Sequence, residues 1–196
     1  MPRDDWARVT PETIFNGLYP HGRMGSVLDV GCGLSIKSQY IECERIVALD
    51  IFRPYLEQGR AQAVRDDILY IQADALDIGN LFLPKSFDLV LVQDVIEHLE
   101  KADGWKLLDM AEGLAKQAVI ANTPHGYFPQ NIDTWGLGGD VWQTHRSAWY
   151  PGDFARRGYH TQCRIYRPCK VKRHTDYDIP DHPEIVVIDA IWRNNA

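Results

Sequence analysis

The sequence predicts an α/β protein: a doubly wound, mostly parallel seven-stranded sheet that ends in an antiparallel C-terminal hairpin. Three observations carry that expectation. Strand-length apolar runs alternate with helical segments from residue 27 onward. The first run empties into the turn Gly31-Cys32-Gly33, and the next three end on the acids Asp50, Asp74 and Asp94. The last two runs are joined by a stretch too short and too polar for a crossover helix. Alternation implies a parallel sheet with helices on both faces, and the missing last helix implies an antiparallel pair.

In chain order, Thr10-Pro11-Glu12 reads as a helix start, with Thr as N-cap and Pro in the first turn, and Asn16-Gly17 can end it. Val27–Val30 is the first strand, and a short helix follows near Ser35–Ile41. "RIVALD" (45–50) is the second strand. "RPYLEQGRAQAVR" (53–65) has helical spacing, with Pro54 in its first turn. "ILYIQAD" (68–74) and "FDLVLVQD" (87–94) are the third and fourth strands. Residues 95–117 read as one helix broken near Asp103-Gly104, with Leu107, Leu108, Met110, Ala111 and Leu114 as its apolar stripe. "AVIANT" (118–123) is the fifth strand. Pro124–Trp149 is long, aromatic and glycine-rich, the kind of stretch that is usually functional. "YPGDFARRG" (150–158) is a short helix closed by Gly158, and 159–166 and 184–192 are the final strands.

The bulk numbers exclude several classes. A chain of 196 residues suits one domain. It divides into an N-terminal helical extension (1–25), the main body, and an insertion at 124–149. A net charge of −6 disfavours general nucleic-acid binding. The basic cluster Arg164, Arg167, Lys170, Lys172 and Arg173 reads as a solvated loop. No apolar run approaches the roughly 20 residues that cross a membrane, and "MPRDDWARVTPET" has no apolar signal core. The four cysteines have no Cys-x-x-Cys spacing. They read as reduced thiols of a cytoplasmic protein, without zinc or a disulfide framework.

A dinucleotide turn of the Gly-x-Gly-x-x-Gly type would need glycine at position 36, where this chain has Ile36. That weakens a nucleotide-dependent oxidoreductase. "LDVGCG" (28–33), "ALD" ending at Asp50, "IQADA" around Asp74, "FDLVLVQDVIEHL" (87–99) and "HRSAWYPGDFARRGY" (145–159) together resemble the class I S-adenosylmethionine-dependent methyltransferases over roughly residues 25 to 193. The resemblance implies their Rossmann-like methyltransferase fold and S-adenosylmethionine as cofactor. In that family the methionine end lies against the glycine turn, here Gly31, Cys32 and Gly33, with Cys32 a small buried residue between the glycines. Asp29 would help hold the methionine amino group. Asp50 would accept from the ribose diol, since a carboxylate suits two hydroxyl donors. Ile51 would stack on adenine, Asp74 would accept from its amino group, the Ala75 N–H would face a ring nitrogen, and the Gln93 backbone would line the cofactor.

The resemblance implies a methyltransferase, and the expected acceptor is an oxygen, or secondarily a nitrogen, of a small molecule. His98 is the first candidate base: on a helix, Asp94, Glu97 and His98 would share one face. His145, beside Arg146 and between Trp142 and Trp149, is the second, on a segment that can fold over a planar or sugar-like acceptor. His125 lies at the same sheet edge. Methyltransferases of the 2′-hydroxyl of small RNAs hold Mg²⁺ on a Glu-x-x-Glu-His helix start and a later histidine. Asp94, Glu97, His98 and His145 could take those places, although a metal is not the favoured reading. A non-catalytic cofactor-binding module is the remaining alternative, and the intact glycines and acids argue against it. The tryptophans of 135–149 can serve a lid or an interface.

Overall fold

The computed structural model describes residues 24–35, 37–166 and 185–194. The expected helix near residues 10–17 and the loop with Arg167, Lys170, Lys172 and Arg173 lie outside them.

Strand β1 is Met24–Val30, β2 Cys43–Asp50, β3 Ile68–Gln72, β4 Phe87–Gln93, β5 Ala115–Pro124, β6 His160–Tyr166 and β7 Ile185–Arg193. They form one seven-stranded sheet in the order β3-β2-β1-β4-β5-β7-β6. The first five strands are parallel, and β7 pairs antiparallel with both β5 and β6. The expected sheet and its terminal antiparallel pair are therefore present. Central strands are buried on both faces, which is why they read as unbroken apolar runs. Val30, Leu49, Val90 and Val92 face one core cluster, while Val27, Ala48, Leu89 and Leu91 face the other. The chain steps outward from β1 to β3, then returns to lay β4 against the other side of β1. The crevice at the carboxyl ends of β1 and β4 is thus the switch point, where open α/β sheets bind ligands.

Helix α1 spans Arg53–Gln62, α2 Ile78–Leu81, α3 Lys101–Leu114, α4 Asp140–Gln143 and α5 Pro151–Ala155. Between β1 and β2 the expected helix is only a 3₁₀ turn, Ser38–Tyr40. Among the described residues no helix is long and apolar enough to cross a membrane.

The segment 95–117 departs most from expectation. It is not one helix broken at Gly104. Ile96–His98 is a single 3₁₀ turn, Leu99 is extended, and α3 runs without a break from Lys101 through Gly104. Residues 115–117 belong to β5. Gly104 serves contact rather than flexibility. A Cβ there would lie 2.5 Å from Cζ2 of Trp149, a fully buried indole. Alanine ordinarily gains about 1 kcal/mol over glycine inside a helix. Here we expect Gly104→Ala to lose about 1–3 kcal/mol through overpacking, measured by urea melts. A variant more stable than wild type would show that α3 and Trp149 have room between them.

Candidate functional site

One wall of the switch-point crevice is the turn after β1. Gly31 and Gly33 both have positive φ, 63° and 52°, a region costly for residues with a side chain. Space excludes a side chain as well. A Cβ on Gly31 would meet Val95 Cγ2 at 2.6 Å, and one on Gly33 would run into the indole of Trp135. The turn is therefore a cradle of bare backbone.

Asp50, at the end of β2, holds that cradle in place. Its Oδ2 accepts from Gly33 N at 2.9 Å and its Oδ1 from Phe52 N at 2.8 Å, the latter just before α1. Burial pushes its carboxyl up, and these N–H groups oppose the shift. Each oxygen still has a lone pair for a hydroxyl donor. Asp29 is buried next to the turn, and burial raises its carboxyl to about 6 against the pull of Ser38 and Lys37. Cys32 lies in the turn with its N–H on Leu49 O at 2.9 Å. Burial, with Asp29 and Asp50 nearby, raises its thiol well above the usual range, so it is not a nucleophile at neutral pH.

The remaining sequence candidates line the same edge. Ile51 follows Asp50 and is half-buried. Asp74 caps a 3₁₀ turn, with Oδ1 accepting from Leu76 N at 2.9 Å; Ala75 opens that turn. Ala73 N donates to Asp50 O at 3.0 Å, tying the ends of β2 and β3 together. Gln93 ends β4, in register with Asn122.

The other wall follows β4. Asp94 has φ 53° and pairs with Lys37 at 3.0 Å across the crevice. The helix that would set it on one face with Glu97 and His98 is absent, because those residues sit on a 3₁₀ turn that begins after it, but its charge still acts on both. Glu97 is 3% exposed and accepts from Thr123 Oγ1 at 2.9 Å. Burial, then the charge of Asp94, pushes its carboxyl up to about 8. The rings of His98 and His145 meet edge to face, centroids 4.7 Å apart. Burial, then the neighbouring His145, lowers His98 to about 4, and burial lowers His145. Both imidazoles are therefore neutral at pH 7. Nδ1 of His98 faces Thr144 O at 3.4 Å, and Nδ1 of His145 faces Phe128 O at 2.6 Å. A carbonyl can only accept, so each ring is assigned its proton on Nδ1 and keeps a lone pair on Nε2.

The structure thus brings His98 and His145 together, as two candidates for one site, and adds Glu97. One ligand atom from each lies within 4.8 Å of the others. Asp94 is outside this group. His125 is exposed and packs on Tyr150. Arg146 does not reach into the crevice as a free cation: it donates to the carbonyls of His98, Thr144 and Val141. Trp149 is a core residue whose Nε1 donates to Ser147 Oγ at 2.9 Å.

Two features escaped the sequence reading. Thr123, the partner of Glu97, gave only a weak signal as a polar residue at the end of an apolar strand. Asp133 gave none. Its carboxylate accepts from the N–H groups of Trp135, Leu137 and Gly139 and so organises the middle of the insertion.

Residues 28–119 match the model of the methyltransferase domain family. No curated protein sequence matches the chain. Among solved structures, the chain is similar to an S-adenosylmethionine-dependent methyltransferase from Archaeoglobus fulgidus, at 16% identity and a TM-score of 0.59 over 98% of this chain and 97% of that one. It is similar to the N-methyltransferase NodS from Bradyrhizobium japonicum, solved with S-adenosylhomocysteine, at 14% identity and a TM-score of 0.59, covering 89% and 80%. It also resembles the YcgJ protein from Bacillus subtilis, at 12% identity and a TM-score of 0.65, covering 95% and 98%. At such identities the likeness is one of fold.

Proposed function

We propose that this chain is a class I S-adenosylmethionine-dependent methyltransferase that transfers the cofactor's methyl group to an oxygen of a small-molecule acceptor, with nitrogen as the second choice. The observation that carries the oxygen reading is the pair of neutral imidazoles, His98 and His145, on the wall opposite the glycine cradle. What supports the cofactor on the first wall is the tight glycine turn, with Val95 and Trp135 packed close against Gly31 and Gly33, the acid Asp50 with spare lone pairs, and the acid Asp29 beside it. Ile51, Asp74, Ala75 and Gln93 continue that wall toward the adenine end.

When bound, S-adenosylmethionine supplies an electrophilic methyl group for in-line displacement. The chain supplies alignment, worth about 7–11 kcal/mol of barrier in well-oriented reactions. A hydroxyl acceptor must also lose its proton. His98 Nε2, with His145 packed behind it, takes that proton as the bond forms. Its lowered pKa makes it a weak base but keeps it unprotonated throughout the neutral range. The aromatic surface of the insertion, including exposed Tyr127 and Trp142, suits a planar or sugar-like acceptor.

The convergence of Glu97, His98 and His145 favours a second reading. Histidines that ligate metals commonly donate their other N–H to a carbonyl, as both do here. A divalent ion there would lower the pKa of an acceptor hydroxyl, such as a ribose 2′-hydroxyl, and His98 would then be a ligand, not a base. One experiment tests both readings. Chelator-treated wild type and His98→Ala are titrated with S-adenosylhomocysteine by calorimetry, then assayed against an acceptor panel with and without Mg²⁺ or Mn²⁺. On the first reading, activity survives chelation, and His98→Ala keeps its cofactor affinity while losing about 10²–10⁴-fold in kcat. Activity that chelation abolishes and metal restores would replace it with the second. Full turnover by His98→Ala would remove both roles.

A further inference from the structure

We infer that Trp135 is a wall of the cofactor site, an indole held against Gly33 so that it contacts the bound cofactor on the Gly33–Asp50 side of the crevice. This rests on the cofactor assignment above. Three observations support it. The first is the contact itself: the indole fills the space where a Cβ of Gly33 would stand. Gly33 is also the glycine whose N–H is bound by Asp50. The last residue of the cradle is thus touched on one side by the acid assigned to the ribose and on another by Trp135.

The second is how the indole is held. Asp133 gathers three N–H groups of the loop, at 2.8 Å from Trp135, 2.7 Å from Leu137 and 3.1 Å from Gly139, while its own N–H donates to Asp140 Oδ1 at 2.6 Å. Burial raises the Asp133 carboxyl, but these N–H groups outweigh it and hold it below the usual range. Beneath the loop, Tyr55 packs edge to face against Trp135, centroids 4.7 Å apart, and Phe52 packs likewise against Tyr55 at 4.8 Å. Phe52 and Tyr55 stand just after Asp50. Gly139 lets the loop descend onto both rings, since a Cβ there would clash with Tyr55. Trp135 is therefore fixed from two sides, as a preorganised contact must be.

The third is the surface left over. Tyr55 is 1% exposed and has no ring surface left for a ligand, whereas Trp135 remains 38% exposed beside the crevice. A large rigid aromatic, immobilised by the scaffold and still open on one side, offers contact area at little further entropic cost.

The test is titration of wild type, Trp135→Phe and Trp135→Ala with S-adenosylhomocysteine by calorimetry, followed in parallel by tryptophan emission. Thermal melts establish that the variants are folded. We expect Trp135→Ala to weaken binding about tenfold and Trp135→Phe to recover most of the loss. We also expect the emission change on binding to be large in wild type and mostly absent from Trp135→Phe, although the other five tryptophans remain. A residue that only shaped the loop would leave that emission change in place. Wild-type affinity in Trp135→Ala, or an undiminished emission change in Trp135→Phe, overturns the inference and leaves the cofactor assignment standing. Failure of wild type itself to bind overturns both.

Discussion

Replacing Asp50 with alanine is expected to weaken S-adenosylhomocysteine binding by about 10²–10³-fold. Hydrogen bonds to a charged acceptor contribute roughly 1.5–3 kcal/mol each, and at about 1.4 kcal/mol per tenfold, losing two ribose contacts alone reaches this range. The residue acts twice, because the carboxylate that would receive the ribose hydroxyls also binds Gly33 N and Phe52 N. Without it, two N–H donors near the crevice lose their acceptor, at about 1–3 kcal/mol each where water cannot replace it. The cradle then loosens together with the ligand contact. Calorimetry reads the affinity, and a thermal melt reads the stability loss separately. Asp50→Asn keeps the volume but puts an NH₂ against one of the two donors, so it should fall between wild type and alanine. Binding within threefold of wild type in both variants would mean that the ribose lies elsewhere.

The second large effect concerns pH. Burial, then the charge of Asp94, raises the Glu97 carboxyl from an ordinary 4.5 to about 8 in the folded protein. Between those values the folded protein keeps a proton that the unfolded chain has lost. Stability from this residue is therefore full below pH 4.5 and declines as pH rises toward 8, by up to about 1.4 kcal/mol per pH unit. Asp29, raised to about 6, adds a decline of the same sign at lower pH. His98, lowered from 6.5 to about 4, works the other way: its contribution grows from pH 4 to 6.5 and is then complete. His145 is shifted in the same direction as His98. The window from pH 6.5 to 8 thus isolates Glu97 among these four. Urea melts of wild type at the two ends should differ by about 2 kcal/mol. Glu97→Gln should remove most of that difference, because the amide oxygen can still accept from Thr123 Oγ1 and carries no titrating proton. Equal slopes for the two proteins would place the titration on another group.

How far the sequence could be read depended on the range of the interaction behind each feature. β1, β2, β4 and β5 were legible because burial on both faces leaves continuous apolar runs, and the turn at Gly31 and Gly33 because a tight turn with bare backbone needs glycine. Asp50 was legible as an acid at a strand end, but its bonds to Gly33 and Phe52 were not. The segment 95–117 was misread for a physical reason: the apolar stripe of α3 runs on from Ile96 and Leu99, and a stripe does not show that Leu99 is extended. The supposed break at Gly104 was a contact with Trp149, far along the chain. The helix assumed for Asp94, Glu97 and His98 is absent, although the charge of Asp94 still acts on Glu97, His98 and His145. The loop knot at Asp133 and the seat of Trp135 on Gly33 are contacts through space, and no local pattern encodes them.

The insertion leaves the sheet and returns to it at adjacent points. Gly126 N donates to Trp149 O at 2.7 Å, and the returning strap is fastened by Arg146 N and Ser147 N to Glu97 O and by Ser147 Oγ to Ile96 O. Residues 127–143 are therefore a closed bight whose ends are tied to each other and to the scaffold. The entropy of closing such a loop grows only slowly, about 0.6 kcal/mol for each doubling of its length. Loop closure therefore sets little limit on the length of this bight, provided that both ties and the internal seat of Trp135 on Gly33 and Tyr55 are kept. Diversification of the acceptor would then proceed at the exposed positions of the bight, such as Ile132, Val141 and Trp142, while the sheet, the glycine turn and the seat of Trp135 stay as they are.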